Sequence, residues 1–208
     1  MVYTIFEDNT IENFKPDLIA ITCLFSVTHS SFVKVCKYCK DSKRSWHSNG
    51  EIPLAIGGVH ITHDIQSMLR NVPEADYIFL NEAELAFVNL LKYVNGDLDI
   101  SYLGQVLFRF PNYALHFSKK FQPMSEHLDI IPAYELMDIQ NHTKMGTLGS
   151  WYGFLEKGTN VATVQSNRGC RAACTFCNVR IFHGVGVRQR SVVSVLDELS
   201  LLHEKYGI

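Results

Sequence analysis

Three thiols crowd one short run, Arg168-Gly169-Cys170-Arg171-Ala172-Ala173-Cys174-Thr175-Phe176-Cys177, with the spacing C-x3-C-x2-C. Soft thiolate ligands favour iron–sulfur centres and zinc. A cubic cluster held by three cysteines keeps one iron open to a further ligand. A structural zinc wants a fourth protein donor instead. His183, six residues beyond Cys177, is placed to be that donor. On spacing alone both metals stay open.

The flanking sequence must present this loop. Asn160-Val161-Ala162-Thr163-Val164-Gln165-Ser166 reads as a buried strand running into the first cysteine. After the loop, Arg188-Gln189-Arg190-Ser191 leads into a helix. Its apolar positions Val192, Val195, Leu196, Leu199, Leu202 and Tyr206 recur at helical spacing, and Gly207 marks its end. Strand, cysteine loop and helix form one β/α unit.

Upstream, strands and helices alternate. Asp17–Leu24, Pro53–Ile56 and Asp76–Leu80 read as strands, the second closed by Gly57-Gly58. Helices are expected over Thr28–Ser42, over about Thr62–Arg70 with Thr62 as N-cap, and from an Asn81 cap to about Tyr93. Glu82 and Glu84 then fall in that last helix's first turn, where the dipole favours acids. Such alternation predicts a parallel sheet covered on both faces, with a ligand crevice at the strand C-termini. Ser26–Ser30, Gly57–His60 and Asn81-Glu82 would surround that crevice. Further on, Gln105–Phe110 and Ala114–Phe117 are a candidate hairpin around Pro111-Asn112, and Tyr134–Ile139 a helical turn. The sequence carries no internal repeat.

Other reactive residues have plain explanations. Cys36 and Cys39 form a C-x2-C, but with Phe32 they share a helical face well inside a helix, away from the N-terminal dipole that activates thiols. They read as buried structural cysteines, and Cys23, in mid-strand, as core. His60 and His63 are explained by a turn and a helix start, although His60 sits at the predicted crevice. Arg188 and Arg190 are either solvated charges at the helix entry or neighbours of a bound anion.

The 208 residues allow one or two domains with a sizeable core. A net charge of −2 and a pI near 6.5 give no basic footprint for nucleic acid. The sequence has no apolar run long enough to span a bilayer and no secretion signal at its start. Six cysteines without a disulfide-scaffold pattern point to a reducing cytoplasm.

The cysteine spacing, the aromatic residue before Cys177, the strand–loop–helix context and the Arg188-x-Arg190-Ser191 run resemble the radical S-adenosylmethionine (SAM) superfamily. Pro16-Asp17-Leu18-Ile19-Ala20-Ile21-Thr22, Ile56-Gly57-Gly58-Val59-His60 and Asn81-Glu82-Ala83-Glu84 resemble the cobalamin-binding domain of B12-dependent members. Leu128-Asp129-Ile130-Ile131-Pro132-Ala133-Tyr134 is similar to their linker. Two departures stand out. Asn81 and Ala83 replace the glycines of the usual Gly-Glu-Gly-Glu, and no Asp-x-His-x-x-Gly motif occurs.

The resemblance implies an α/β fold: an open parallel-sheet domain, Rossmann- or flavodoxin-like, at 1–97, a linker at 98–158, and the opening β/α unit of a radical SAM barrel at 159–208. Val2–Asp8 corresponds to the domain's second strand, and Ile208 falls where a second barrel strand would start, so the sequence reads as a piece of a longer enzyme. A [4Fe-4S] cluster on Cys170, Cys174 and Cys177 would cleave SAM reductively, with Phe176 packed beside it. Gly57, Gly58 and His60 would contact a cofactor, cobalamin being the candidate. A small-molecule substrate, an electron donor such as flavodoxin or ferredoxin, and a methyltransferase or cyclase reaction follow from the same resemblance. The competing reading is a non-catalytic α/β binding module with a structural zinc.

Overall fold

A computed structural model of the protein describes residues 10–41, 51–109, 115–117, 128–137, 139 and 159–208. The strand expected over Val2–Asp8 and the turn at Pro111-Asn112 lie outside them. The chain divides into two units: Met1–Pro123 with Ala172–Val185, and Met124–Arg171 with Gly186–Ile208.

The first unit begins with α1 (Thr10–Phe14) and β1 (Ile19–Thr22), then a 3₁₀ turn at Ser26–Thr28 and α2 (His29–Asp41). β2 (Leu54–Gly57), α3 (Val59–His63), α4 (Ile65–Asn71), β3 (Tyr77–Phe79) and α5 (Glu84–Val94) follow. β4 (Val106–Arg109) and β5 (Leu115–Phe117) complete one sheet, ordered β1-β2-β3-β4-β5. The first three strands are parallel, whereas β4 runs antiparallel to β3 and β5 antiparallel to β4. The sheet is thus mixed and open rather than wholly parallel. The segment expected as a linker begins with two of its strands. β4 is drawn against β3 because Val106 and Phe108 share the core beneath α5 with Phe79 and Leu90.

Alternation along the strands separates two cores. Ile21 pairs with Ile56, Ile56 with Ile78, and Ile78 with Leu107, a row of apolar side chains across four strands. Phe32 and Cys36 of α2, Ile61 of α3 and Met68 of α4 cover it. On the opposite face, Ala55, Phe79, Val106 and Phe108 meet Ala86 and Leu90 of α5. Each fully buried aliphatic side chain in these layers contributes roughly 1.5–3 kcal/mol. Cys36 and Cys39 lie inside, as the helical face predicts, and Cys23 is buried as expected of a core residue. Burial, reinforced by Cys39, pushes the Cys36 thiol up from 9.0 to about 12.

Two helix starts differ from expectation. The helix expected from Thr62 is broken at Asp64 (φ −124°, ψ 56°), whose carboxylate caps α4 by accepting from Ser67 N at 3.3 Å. Thr62 lies within α3 and donates to the Gly58 carbonyl. α5 starts two residues later than expected, behind Ala83, and Asn81 does not cap it. The turn after β2 requires glycine at 58. Its φ is +117°, and a Cβ there would come within 2.5 Å of the Cys23 carbonyl oxygen. That carbonyl also accepts from His60 N, and Cys23 N donates to the Gly57 carbonyl, so the ends of β1 and β2 are laced together.

In the second unit, β6 (Asn167–Cys170) pairs antiparallel with β7 (Gly186–Gln189). The expected strand at 160–166 is not a strand, because it finds no ladder partner among the described residues. Ala162 and Val164 instead pack with Tyr134, Ile139 and Leu202. The last helix, which follows β7 over Val192–Tyr206, is capped by Ser191 Oγ on Ser194 N and closed by Gly207 in the left-handed region. Its inward face differs from the apolar stripe. Ser194, Glu198 and Leu202 are buried, while Val192, Leu196 and Leu199 are exposed. The cause is Arg190, which is buried rather than solvated and ion-pairs with Glu198. Tyr134 donates to the other Glu198 oxygen at 2.5 Å, and burial together with that carboxylate raises its own pKa.

Two outcomes follow. Gly58→Ala should cost about 1–3 kcal/mol from its φ alone, more with the clash, read as a lowered thermal midpoint. An unchanged midpoint would disprove the close approach. Iodoacetamide at pH 8 should label Cys174 readily and leave Cys36 and Cys39 intact until denaturant is added. The folded Cys36 keeps its proton from pH 9 towards 12, where an unfolded thiol has lost it, so this core loses stability as pH rises through that window. Labelling of Cys36 in the native protein, located by mass spectrometry, would contradict its burial.

Candidate functional site

The C-terminal ends of β1 and β2 open into a cleft of about 880 Å³. Leu24, Phe25, Ser26 and Val27 line it from the loop after β1, and Val59, His60, His63 and Asp64 from α3 and its end. Asn178 completes the wall. Of the three segments expected here, the loop after β1 and His60 do line the cleft. Gly57 and Gly58 shape it from behind, and Asn81-Glu82 stands elsewhere in the unit. Phe25 and Val27 are exposed, Val27 by 90%, so the rim presents apolar surface to solvent.

His60 is held by a partner from the helix that follows β1. His29, first residue of α2, brings its Nδ1 within 3.1 Å of His60 Nε2, with the rings edge to face. Asn71 at the end of α4 puts its Nδ2 3.0 Å from His29 Nε2. With that amide donating, His29 carries its proton on Nδ1 and donates it to His60. Burial and the neighbouring His29 lower the His60 pKa, with Asp64 opposing them. His60 is therefore a neutral imidazole at pH 7. The available signal for His29 was its place at a helix start just beyond a strand's C-terminal end, where ligand-facing residues collect.

Cys170 ends β6, and Cys174 and Cys177 follow in a turn closed by Cys177 N on the Cys174 carbonyl at 3.2 Å. None of the three is in a disulfide; Cys174 is exposed and the others are half-buried. As a donor set they fit an iron–sulfur cluster in type and number. Among the described residues no group of three or more His, Cys, Asp or Glu stands in metal-holding geometry. Phe176, expected to pack beside the cluster, is 87% exposed. Gly169, with φ +92°, precedes Cys170 where a Cβ would strike the Gly186 carbonyl oxygen at 2.2 Å.

The short helix after the cysteines, α6 (Val179–His183), is anchored to the sheet of the first unit. Asn81 takes a left-handed conformation (φ +62°) and donates through Nδ2 to the Ile181 and Phe182 carbonyls at 2.7 and 2.9 Å. His183, the fourth donor a zinc site would recruit, has Nδ1 2.5 Å from Oε1 of Glu82, which is 4% exposed. Sequence reading missed this pairing because 101 residues separate its members.

Comparison with known proteins gives these features a context. The B12 binding domain family model matches residues 7–91. An uncharacterized methyltransferase of Pyrococcus horikoshii is 27% identical over 206 residues, covering 95% of this chain and 39% of that protein. The cytidylyl-2-hydroxyethylphosphonate methyltransferase of Streptomyces wedmorensis is 25% identical over 99% of this chain and 41% of its own length. The chain thus spans about two fifths of these relatives. Among solved structures, the radical SAM methyltransferase TsrM from Kitasatospora setae aligns with a TM-score of 0.65 at 15% identity, over 94% of this chain and 36% of TsrM. The cobalamin-dependent SAM radical enzyme OxsB aligns with a TM-score of 0.64 at 16% identity, over 96% of this chain and 25% of OxsB. Residues 7–91 thus match a B12 binding domain, and the fold is similar to that of the radical SAM enzymes TsrM and OxsB.

Proposed function

We propose that this chain is the cobalamin-side part of a B12-dependent radical SAM enzyme, and that the enzyme is a methyltransferase. The observation that carries this reading is the position of Asn178. It follows Cys177 directly and lines the cleft at the end of β1 and β2, so cysteine turn and cleft share a wall. The relatives named as methyltransferases support the reaction class.

Cys170, Cys174 and Cys177 would hold a [4Fe-4S] cluster whose open iron binds SAM, and the cleft would hold cobalamin. The cluster with SAM would supply one-electron chemistry, and cobalamin a transferable methyl group. The chain's own contribution is placement. Leu24, Phe25, Val27 and Val59 offer an apolar rim on which a broad macrocycle excludes water. His60, neutral and braced by His29, offers a polar contact without charge. The exposed Val192, Leu196 and Leu199 of the last helix are surface that further barrel elements of a longer protein would cover. A flavodoxin or ferredoxin would supply electrons, and the substrate would be a small molecule.

Anaerobic reconstitution with iron and sulfide tests the cluster. The protein should turn brown, and its reduced electron paramagnetic resonance spectrum should shift on adding SAM. Cys174→Ala should lose the iron, while Cys36→Ala, remote in the core, should keep it. A colourless protein that retains zinc through purification would sink the enzyme reading. Separately, hydroxocobalamin should co-elute with the protein on gel filtration, and His60→Ala should weaken that retention several-fold. Equal retention by both would remove His60 from the site.

A further inference from the structure

We infer that Asn81 and Glu82 are positioning residues that clasp the helix following the cysteine turn, and so set that turn at the edge of the cleft. The inference rests on reading the turn as a cluster loop. α6 has five residues, too few to be stable alone. Its last carbonyls have no partner within the helix. Asn81 supplies one, donating its side-chain amide to two successive carbonyls, Ile181 and Phe182. Glu82 holds the final residue through His183 Nδ1.

The clasp is itself held firmly. Asn81 N donates to Thr62 Oγ1 at 2.8 Å, and Thr62 Oγ1 to the Gly58 carbonyl at 3.1 Å, so it is tied to the turn that shapes the cleft. Gln105, 2% exposed, donates through Nε2 to the carbonyls of Leu80 and Glu82. At its other end α6 begins at the cysteine turn. Phe182 N donates to the Asn178 carbonyl at 2.9 Å, and Asn178 lines the cleft. Five residues at ~1.5 Å each make a lever of roughly 8 Å between clasp and cysteines. The conformation of Asn81 explains its residue type. Glycine supplies φ +62° at less cost than asparagine, but only asparagine also brings an amide to the α6 carbonyls.

Asn81→Gly therefore deletes the clasp and keeps the backbone. In the full chain it should leave the thermal midpoint and the exchange of β1–β3 amides near wild type, while amides of Phe182 and Gly184 exchange about tenfold faster or more, the loss expected for two hydrogen bonds. Glu82→Ala should behave alike, and Glu82→Gln, which keeps an acceptor for His183, should largely restore protection. At equal iron content, Asn81→Gly should also lose the change that SAM makes in the reduced spectrum. Unchanged exchange in 179–184 overturns the clasp. Faster exchange with an unchanged SAM response overturns its positioning role and makes it merely structural. Wild-type protein that takes up no iron sinks the cluster reading instead, and the exchange comparison then judges the clasp by itself.

Discussion

The register of three short strands governs the arrangement of the first unit. Because Ile21 faces Ile56 and Ile56 faces Ile78, one apolar row meets α2, α3 and α4. A slip of one residue would turn every strand side chain to the opposite face. It would also break the contact of the Gly58 turn with the Cys23 carbonyl, which requires the ends of β1 and β2 to be level. That levelness makes the cleft. The loop carrying Phe25 and Val27 and the helix carrying His60 leave their strands at the same height, and the space between them is open to ligand. The same register carries β3 to its end at Phe79, from which Asn81 and Glu82 reach α6.

The second unit uses a different kind of constraint. Its core is small, and a buried charge pair sits in it. Taking Arg190 and Glu198 out of water is expensive, and their attraction repays that only with further hydrogen bonds. Those bonds exist. Arg190 donates to Ser194 and to the Gln165 carbonyl, and Tyr134 donates to Glu198. The pair fixes which face of the last helix turns inward, against the pull of its apolar stripe. A buried ion pair is weak evidence of stability but good evidence of a specified orientation, since removing either partner strands the other charge.

Much of this was legible in the sequence. Runs of apolar residues bounded by Gly-Gly or by Asp and Asn gave β1, β2 and β3, and Phe32, Cys36 and Cys39 gave the buried face of α2. Long apolar segments announce themselves because burial dominates their energetics. What stayed hidden depended on partners distant in sequence. A run such as Asn160–Ser166 has strand composition, yet a strand exists only where another offers a ladder. Thr62 and Asn81 are good capping residues, yet Asp64 caps one helix and Ala83 precedes the other. Asn81's amide is taken by carbonyls 100 and 101 residues away. The last helix was read from its apolar spacing, and its buried face proved polar because Arg190 had to be neutralised.

Burial also explains why chemistry can reside in one set of cysteines and not in the other. Cys36 lies in a layer that no water reaches, and its thiol keeps its proton to about pH 12. A thiol so held is neither a nucleophile nor a metal ligand, because both roles need the thiolate. Cys174 is exposed on a turn, open to reagents and to metal ions. The six cysteines therefore fall into two chemical classes without any difference in their intrinsic reactivity. The fold draws that line: helical spacing seals Cys36 and Cys39 inside and Cys23 is buried just beyond β1, whereas the C-x3-C-x2-C run leaves Cys174 exposed and Cys170 and Cys177 half-buried.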